Sequence, residues 1–373
     1  MQPIQEFVDL LCCPVGRRPL RVMTKPEFDQ LNASVARGQA RLAGGAAVTE
    51  PLAAGLAADD GTSFYRIVDG VPALLPAHRI VVGDAAPSKL PQTLTDGAWG
   101  AYWEALALRW DDLRPPRRPA PEDTAALERM VEEALARGPR SGARALLLGV
   151  TPEIATMRWP AGTRLLALDA SAAMIRHVWP APEIPVAAVV RGDWAAMPIR
   201  DGAFDVVVGD ASVAAQPYPD GFFAVAGEVR RVLRAGGALA TRAFTRPERR
   251  EPLAQIFADL RAGRVGTLDA VRWRVGAALH GDRATGVTMG EIWDAWAANV
   301  PDPHGLMRAL GWPPDTVRVM ENLRGGKAVL VFPTLTELRE SLDGMFEETA
   351  CEFPSYEDGD RYPTLAFRSR PRT

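Results

Sequence analysis

The chain has 373 residues, of which 47% are apolar and 24% are charged, and its formal net charge is −3. This balance is typical of soluble globular proteins and excludes wholesale disorder, a collagen-like repeat and a coiled-coil rod. No run of 18 apolar residues is present, so we expect no membrane-spanning helix.

Three further features concern the cellular setting. Glu6 and Asp9 lie where a signal peptide would have a basic start and a long apolar stretch. The three cysteines, of which Cys12 and Cys13 are adjacent, cannot form a disulfide framework. Arginine outnumbers lysine 40 to 3, which is typical of a GC-rich bacterial genome. We therefore expect a cytoplasmic protein.

Residues 1–80 form the first predicted domain, a small α+β unit. It opens with an amphipathic segment and closes with two extended pieces joined by a tight turn at Asp69 and Gly70. Residues 81–125 are predicted to be a linker and cap segment. Within it, residues 99–110 have a helical pattern, whereas the prolines of residues 114–121 exclude a helix.

From residue 126 onward, apolar strands alternate with helices. Strands that are apolar throughout and separated by helices are typical of a parallel sheet covered on both faces. The predicted strands are 143–148, 164–168, 186–190, 204–208 and 238–244. The predicted helices before and between them are 122–136, 172–178 and 221–233. Residues 126–373 are therefore predicted to form a doubly wound α/β domain.

A helical insertion interrupts this alternation over residues 245–325. Its predicted helices are 253–260, 268–279 and 290–299. After it we expect a strand at 328–332, a helix at 335–345 and a final pair of strands at 347–353 and 364–368. Because the insertion follows the fifth strand, we expect it to cover an active site and to select the substrate.

Ligands of an open parallel sheet bind at the carboxyl ends of its strands, so the residues just past each strand are candidate ligand contacts. Gly149 would let a ligand approach the backbone after the first strand, and Thr151 adds a hydroxyl. Asp169, after the second strand, lies at the interval where a carboxylate binds a ribose diol. After the third strand, Asp193 can accept from an adenine amino group and Trp194 can pack on the base.

The fourth strand ends at Gly209 and Asp210. The alternative for each aspartate at a strand end is a structural one, in which the carboxylate caps a helix or a loop. None of the four histidines shows the spacing of metal ligands, and we assign no catalytic residue.

The order of these motifs resembles that of class I S-adenosylmethionine-dependent methyltransferases. The resemblance covers roughly residues 126–245 and the final strands. Its matching segments are 145–149, 166–174, 191–194, 197–208 and 229–237. It implies a Rossmann-like, mostly parallel seven-stranded sheet whose last strand is antiparallel. It also implies S-adenosylmethionine as the cofactor.

The resemblance assigns eight residues to cofactor binding: Gly149, Thr151, Asp169, Ala170, Met174, Asp193, Trp194 and Asp210. It implies that the first two line the methionine end, that Asp169 binds the ribose, and that Ala170 and Met174 flank the adenine. Asp193 and Trp194 would hold the adenine edge, and Asp210 would lie near the sulfonium or the substrate.

One motif departs from the family pattern. The first motif of the family usually has an acidic residue inside the strand and three glycines after it. This sequence has Leu147, Gly149, Thr151 and Glu153 at those positions, so two glycines are missing.

The N-terminal unit resembles the small zinc-ribbon activator domain that accompanies several methyltransferases. The matching residues are 10–14, 19–20 and 65–75. That domain has cysteines at both ends of its fold, whereas this unit has only Cys12 and Cys13. Adjacent cysteines cannot ligate zinc in the usual geometry. We therefore expect a domain without metal, held together by apolar packing.

The sequence thus predicts an S-adenosylmethionine-dependent methyltransferase that acts on a small-molecule acceptor by in-line displacement. One alternative is an rRNA or tRNA methyltransferase whose N-terminal unit docks RNA, although the mildly acidic charge balance gives no support for a nucleic-acid partner. Another is a non-catalytic scaffold, motivated by the altered glycines. A nicotinamide dehydrogenase is disfavoured because G-x-G-x-x-G is absent after the first strand.

Overall fold

The computed structural model describes residues 3–83, 98–136, 142–180 and 186–371. The chain divides into two compact units. The first comprises Met1–Leu108, Val131–Val208 and Gly227–Ala238, and the second comprises Arg109–Met130, Gly209–Ala226 and Leu239–Thr373. Most of the predicted linker, including Pro87 and Pro91, lies outside the described residues. The predicted domain boundaries remain predictions.

The N-terminal part of the first unit is an antiparallel sheet with one helix, preceded by a 3₁₀ helix at Pro3–Leu10. Its elements are β1 (Leu20–Val22), α1 (Lys25–Ala36), β2 (Ala40–Leu42), β3 (Gly55–Ala58), β4 (Phe64–Val68), β5 (Val71–Pro72) and β6 (Ile80–Val82). The strand order is β1-β3-β4-β6-β2, and β5 pairs with β4. Helix α1 begins where the Thr24 backbone N–H donates to the Glu27 side chain.

The rest of the first unit begins the α/β alternation. Its elements are α2 (Ala98–Ala107), α3 (Pro121–Ala136), β7 (Arg144–Leu148), α4 (Pro152–Ala155), β8 (Arg164–Asp169), α5 (Ala172–His177), β9 (Val186–Arg191), β10 (Phe204–Asp210), α6 (Asp220–Val232) and β11 (Leu233–Arg242). Four of these, α3, β10, α6 and β11, continue into the second unit. The apolar residues of β7 and β8 are fully buried, as their uniform hydrophobicity predicts.

The N-terminal sheet is attached to the α/β part of the same unit by main-chain hydrogen bonds. The Leu74 N–H donates to the Arg191 carbonyl at 2.7 Å, at the end of β9. At another point the Cys12 N–H donates to the Pro198 carbonyl at 3.0 Å. The Arg17 side chain adds an ion pair with Glu228 at 3.0 Å. These bonds make the N-terminal segment an integral part of the first unit.

The second unit contains most of the remaining helices. Its further elements are α7 (Leu253–Arg261), α8 (Leu268–Leu279), β12 (Val287–Thr288), α9 (Met289–Asn299), α10 (Pro303–Leu310), α11 (Arg318–Glu321), β13 (Val329–Leu330), α12 (Leu335–Asp343), β14 (Phe346–Glu352) and β15 (Thr364–Ser369). The long apolar face of α8 is buried, and Trp296 of α9 is one of the largest fully buried side chains.

Seven strands form one mixed sheet in the order β14-β15-β11-β10-β7-β8-β9. Strands β7, β8 and β9 are parallel, and β14 and β15 form an antiparallel pair. This order confirms the predicted Rossmann-like α/β fold with a terminal antiparallel strand.

Two predicted elements need correction. The strand predicted at 328–332 is only Val329–Leu330, and it pairs with β12 outside the seven-stranded sheet. The fifth strand begins at Leu233, five residues before its predicted start at residue 238. Helices α1 and α10 were not predicted. Within the described ranges, no helix is both long and apolar enough to cross a membrane.

Candidate functional site

The carboxyl ends of β7, β8 and β9 meet at one edge of the first unit. The Gly149 N–H, just past β7, donates to the Leu168 carbonyl of β8 at 2.9 Å. The indole N–H of Trp194, past β9, donates to the same carbonyl at 2.7 Å. Gly192 permits this close approach because a Cβ there would lie 2.7 Å from the Leu168 side chain. Residues after three different strands are thereby brought together.

Gly149 is the centre of this arrangement. Its φ of +105° is a backbone conformation that favours glycine. A Cβ built there would lie 3.8 Å from the Trp194 ring, 4.0 Å from Asp169 Oδ2 and 4.0 Å from Thr151 Oγ1. Four of the eight predicted cofactor residues, Gly149 and these three, therefore lie close together, as expected for residues at the carboxyl ends of neighbouring parallel strands.

The Asp169 carboxyl is held in one orientation. Its Oδ1 accepts a hydrogen bond from the Ser171 N–H at 2.7 Å. Within the described residues, no group donates to Oδ2. Burial raises the pKa of Asp169 to about 7, while the Ser171 N–H and the positive charge of Arg191 act in the opposite direction. A half-buried carboxyl with one acceptor oxygen left without a donor is suited to bind hydroxyl donors.

The neighbouring predicted residues have structural roles as well. Asp193 is buried, and its Oδ1 accepts from the Ala195 N–H at 2.9 Å, which caps a 3₁₀ helix at Trp194–Ala196. Met174 is buried in α5, and its N–H donates to Ser171 Oγ at 3.2 Å. The Ala170 carbonyl accepts from Arg191 Nε at 2.9 Å. Whether these residues contact a cofactor stays a prediction.

Asp210 belongs to the second unit, where Arg242 binds it. Arg242 Nε donates to Oδ1 at 2.8 Å and Nη2 donates to Oδ2 at 3.0 Å. Arg242 is fully buried and also contacts Asp123 Oδ2 at 3.3 Å. The Tyr356 hydroxyl lies 3.2 Å from both Asp123 oxygens. The structure therefore gives Asp210 an ion-pair role, and its predicted position near the sulfonium is untested.

Sequence reasoning missed Ser171, Arg191 and Arg242. Ser171 had a detectable signal, since it is an N-cap residue three positions before Met174. Arg191 and Arg242 lie at strand ends, and nothing in their local sequence distinguishes them from the other arginines of the chain.

The two most buried histidines have structural explanations. His280 Nε2 accepts the Phe332 N–H at 3.0 Å, which requires a neutral ring. Burial lowers the pKa of His78 to about 4, so it too is neutral near pH 7. Across the described parts of the chain, no group of three or more His, Cys, Asp and Glu side chains could hold a metal ion.

A family model described as a methyltransferase domain matches residues 147–241. The match contains Gly149, Asp169, Asp193 and Asp210, and it spans β7 to β11. The chain carries a class I methyltransferase domain. It is a methyltransferase enzyme, and S-adenosylmethionine is its cofactor.

Several solved structures are similar to this methyltransferase. A chain from the complex of the Haloferax volcanii Trm112 methyltransferase activator with its methyltransferase is 14% identical, with 72% of this chain and 98% of that chain covered and a TM-score of 0.38. A protein described as a zinc-dependent alcohol dehydrogenase from Rhodobacter sphaeroides is also 14% identical, with coverages of 74% and 100% and a TM-score of 0.47.

The N-methyltransferase NodS from Bradyrhizobium japonicum, in complex with S-adenosylhomocysteine, is 12% identical. It has coverages of 74% and 100% and a TM-score of 0.42. At these TM-scores the likeness says nothing about substrates. No curated protein matches the sequence. The likeness of the N-terminal unit to a zinc-ribbon activator domain is not confirmed and stays a prediction.

The residues around Gly149 fit S-adenosylmethionine. Asp169 Oδ2 is an acceptor for ribose hydroxyls, and the glycine leaves room that a Cβ would fill. Thr151 and the Trp194 ring border the same space. These residues fit the cofactor in spite of the two missing glycines.

Cofactor affinity should rise with pH between about 5 and about 8. Because burial raises the pKa of Asp169 to about 7, its carboxyl is mostly protonated at lower pH, whereas ribose hydroxyls bind the ionised acceptor more strongly. Binding then releases a proton, so the Kd for S-adenosylhomocysteine should fall up to about tenfold per pH unit below 7 and level off above it. Calorimetry across this range measures the effect, and a pH-independent Kd would contradict it.

Proposed function

We propose that this enzyme transfers the methyl group of S-adenosylmethionine to a small organic acceptor. The observation that carries the proposal is the convergence of Thr151, Asp169 and Trp194 around Gly149 in the first unit. We assign cofactor binding to this arrangement, with Asp169 and Trp194 at the nucleoside and Gly149 and Thr151 toward the methionine end.

The protein contributes mainly by binding and orientation. S-adenosylmethionine supplies an activated methyl group, so the reaction needs a correctly placed nucleophile and the exclusion of water. The Ser171 N–H fixes the Asp169 carboxyl, and the Leu168 carbonyl fixes the Trp194 ring through its indole N–H. A general base is required only if the acceptor is a hydroxyl or a protonated amine.

The charge distribution of the N-terminal unit supports a small acceptor over RNA. Residues 3–83 carry eight basic and eight acidic side chains. Most cations near the start of the chain are paired with carboxylates: Arg17 with Glu228, Arg18 with Asp60, Arg21 with Glu27, and Lys25 with Asp29. An RNA-docking module needs unpaired cations to neutralise phosphates.

The second unit contains an aromatic cluster, and a guanidinium group lies over each ring of its central stacked pair. Phe244 and Trp273 are half-buried and stack with ring centroids 5.1 Å apart and an interplanar angle of 16°. Tyr362 lies edge-on to Phe244 at 5.4 Å. Trp273 belongs to the insertion that the sequence predicts to select the substrate.

The methylation reaction should depend only weakly on salt. A small acceptor makes at most one or two ionic contacts, so its apparent affinity should change less than about threefold between about 50 and about 200 mM salt. Radiolabelled methyl transfer to fractionated cell extract, at both salt concentrations and with and without ribonuclease, measures the salt dependence and shows whether the acceptor is RNA. Loss of labelled product after ribonuclease treatment, or a steep salt dependence, would favour the RNA alternative.

Chelators should leave the N-terminal unit folded. Cys12 and Cys13 are buried, and Cys13 Sγ lies 3.0 Å from the Tyr65 hydroxyl, so the two thiols pack within the apolar core. We expect less than about 1 °C change in Tm after EDTA treatment, because a structural zinc site would contribute several kcal/mol of folding free energy. Release of one equivalent of zinc on unfolding would refute this prediction.

Calorimetry with S-adenosylhomocysteine separates the enzyme from the scaffold alternative. The proposal requires saturable binding to the wild-type chain. Absence of both heat and a thermal shift at millimolar ligand would leave only a scaffold whose cofactor site is lost.

A further inference from the structure

The first unit contains a cavity of about 660 Å³ that none of the eight predicted cofactor residues lines. One wall comes from the N-terminal sheet and includes Val48, Val71 and Ile80. The opposite wall comes from α5 and β9 and includes Ile175 and Val189. Its volume lies within the range of small-molecule sites, which are about 300–1,000 Å³ and mostly apolar with a few polar groups.

The charged groups at this cavity are predominantly basic. Three guanidinium groups line it, those of Arg66, Arg176 and Arg191, against the carboxylates of Glu50 and Asp69. Glu50 is already engaged, since Arg66 Nη1 lies 3.5 Å from its Oε2. His78 also lines the cavity, but burial and the nearby arginines lower its pKa to about 4, so it adds no charge near pH 7.

Arg191 has unused hydrogen-bond donors. Its Nε donates to the Ala170 carbonyl at 2.9 Å, and within the described residues neither Nη atom has an acceptor. Burial lowers the pKa of Arg191, which shows that its guanidinium is partly desolvated. Arg176 is exposed on α5 and likewise forms no ion pair among the described residues. The Asp169 and Glu104 carboxylates favour the charged form of Arg191 without accepting from its Nη atoms, and a partly desolvated guanidinium with free donors is suited to bind an anion.

We propose that this cavity binds an amphipathic organic anion, with its carboxylate held by Arg191 and Arg176 and its apolar body packed against the aliphatic walls. The combination of unpaired guanidinium donors with valine and isoleucine walls selects against two simpler ligands. A small inorganic anion would leave the apolar walls unfilled, and a neutral lipid would leave the arginines without a partner.

Such a ligand would act on the cofactor site through Arg191. The positive charge of Arg191 favours the ionised form of Asp169, and its Nε contacts the residue next to that aspartate. An anion bound to Arg191 would offset this charge and weaken ribose binding. By reciprocity, the cofactor would weaken anion binding by the same factor. This consequence rests on the proposed function, whereas the existence of the site does not.

Calorimetry with three probes tests the site: decanoate, 1-decanol and acetate. We expect one saturable decanoate site per chain, at least tenfold weaker binding of 1-decanol, and no binding of acetate. Arg176→Glu reverses a charge at the cavity, and Ala47→Trp fills its N-terminal wall, where Ala47 is exposed. Each should weaken decanoate binding at least tenfold. Arg37→Glu, which lies outside the cavity lining, is the matched control and should change nothing.

The proposal is overturned if wild-type protein binds no decanoate saturably, or if both cavity variants bind it as tightly as the control. S-adenosylhomocysteine is titrated separately, first without and then with saturating decanoate. Decanoate binding without any S-adenosylhomocysteine binding would refute the methyltransferase function and leave the anion site intact. An unchanged S-adenosylhomocysteine Kd in decanoate would refute the coupling through Arg191.

Discussion

Replacing Asp169 by asparagine should weaken S-adenosylhomocysteine binding at least about 100-fold, because hydrogen bonds to a charged acceptor contribute about 1.5–3 kcal/mol each and a ribose diol makes two. The asparagine keeps the size of the side chain, so the loss reports on charge. Calorimetry at a pH near 8, where the wild-type carboxyl is ionised, measures the effect most directly.

The same variant has an internal control for folding. Because burial raises the pKa of Asp169, its ionisation destabilises the folded state as pH rises from about 4 to about 7. Asparagine removes this cost, so the variant should be at least as stable as wild type in urea at pH 8. Asp29→Asn, an exposed carboxylate paired with Lys25, should leave binding unchanged.

Asp193→Ala tests the second predicted carboxylate. We expect weaker binding, but with some loss of stability, since Asp193 caps the 3₁₀ helix that carries Trp194. If Asp169→Asn and Asp193→Ala both bind S-adenosylhomocysteine as tightly as wild type, the nucleoside site has been assigned to the wrong residues.

The central sheet could be predicted from the sequence because its strands are buried on both faces. The buried residues of β7 (145–148) and of β8 (165–168) are uniformly apolar, which no exposed strand or amphipathic helix tolerates. The ends of these strands could therefore be predicted too, and Gly149, Asp169 and Asp193 were identified as candidate ligand contacts at those ends. The end of a strand can be recognised in the local sequence, and the carboxyl ends of parallel strands lie together at one edge of the sheet.

The elements that were missed have different causes. Helix α10 carries clear end signals, with Asp302 as its N-cap, Pro303 in its first turn and Gly311 at a φ of +69° after its end. It was missed because the segment around it is rich in Gly and Pro, which are typical of loops. Strand β13 is too short to be distinguished by periodicity, and its partner β12 lies more than 40 residues earlier.

Long-range ion pairs could not be predicted at all. Asp123 and Arg242 are 119 positions apart, and Asp210 is 32 positions from the same arginine. Neither local composition nor spacing relates them. The cavity at Arg191 is similarly composed of residues from the N-terminal sheet and from β9, and it exists only because the two parts pack together in the first unit.

Arg242→Met should destabilise the second unit by about 3–5 kcal/mol, because removal of one partner from a buried ion pair leaves uncompensated charge. Arg242 is fully buried and is the shared partner of Asp123 and Asp210. Urea denaturation followed by circular dichroism measures the loss. Arg318→Met breaks a pair with Asp315 that is about two-thirds exposed at both ends, and it should cost less than about 1 kcal/mol.

Two further measurements show whether charge is the cause. Adding Asp123→Asn and Asp210→Asn to Arg242→Met should restore more than about half of the lost stability, since buried polar groups of matched size are tolerated better than unpaired charges. Burial already raises the pKa of Asp123, and loss of Arg242 should raise it further. The destabilisation by Arg242→Met should therefore be smaller at pH 5 than at pH 8, because protonation of Asp123 removes its unpaired charge. Equal losses at both pH values, with no rescue by the asparagines, would mean that Arg242 stabilises the unit by packing rather than by charge.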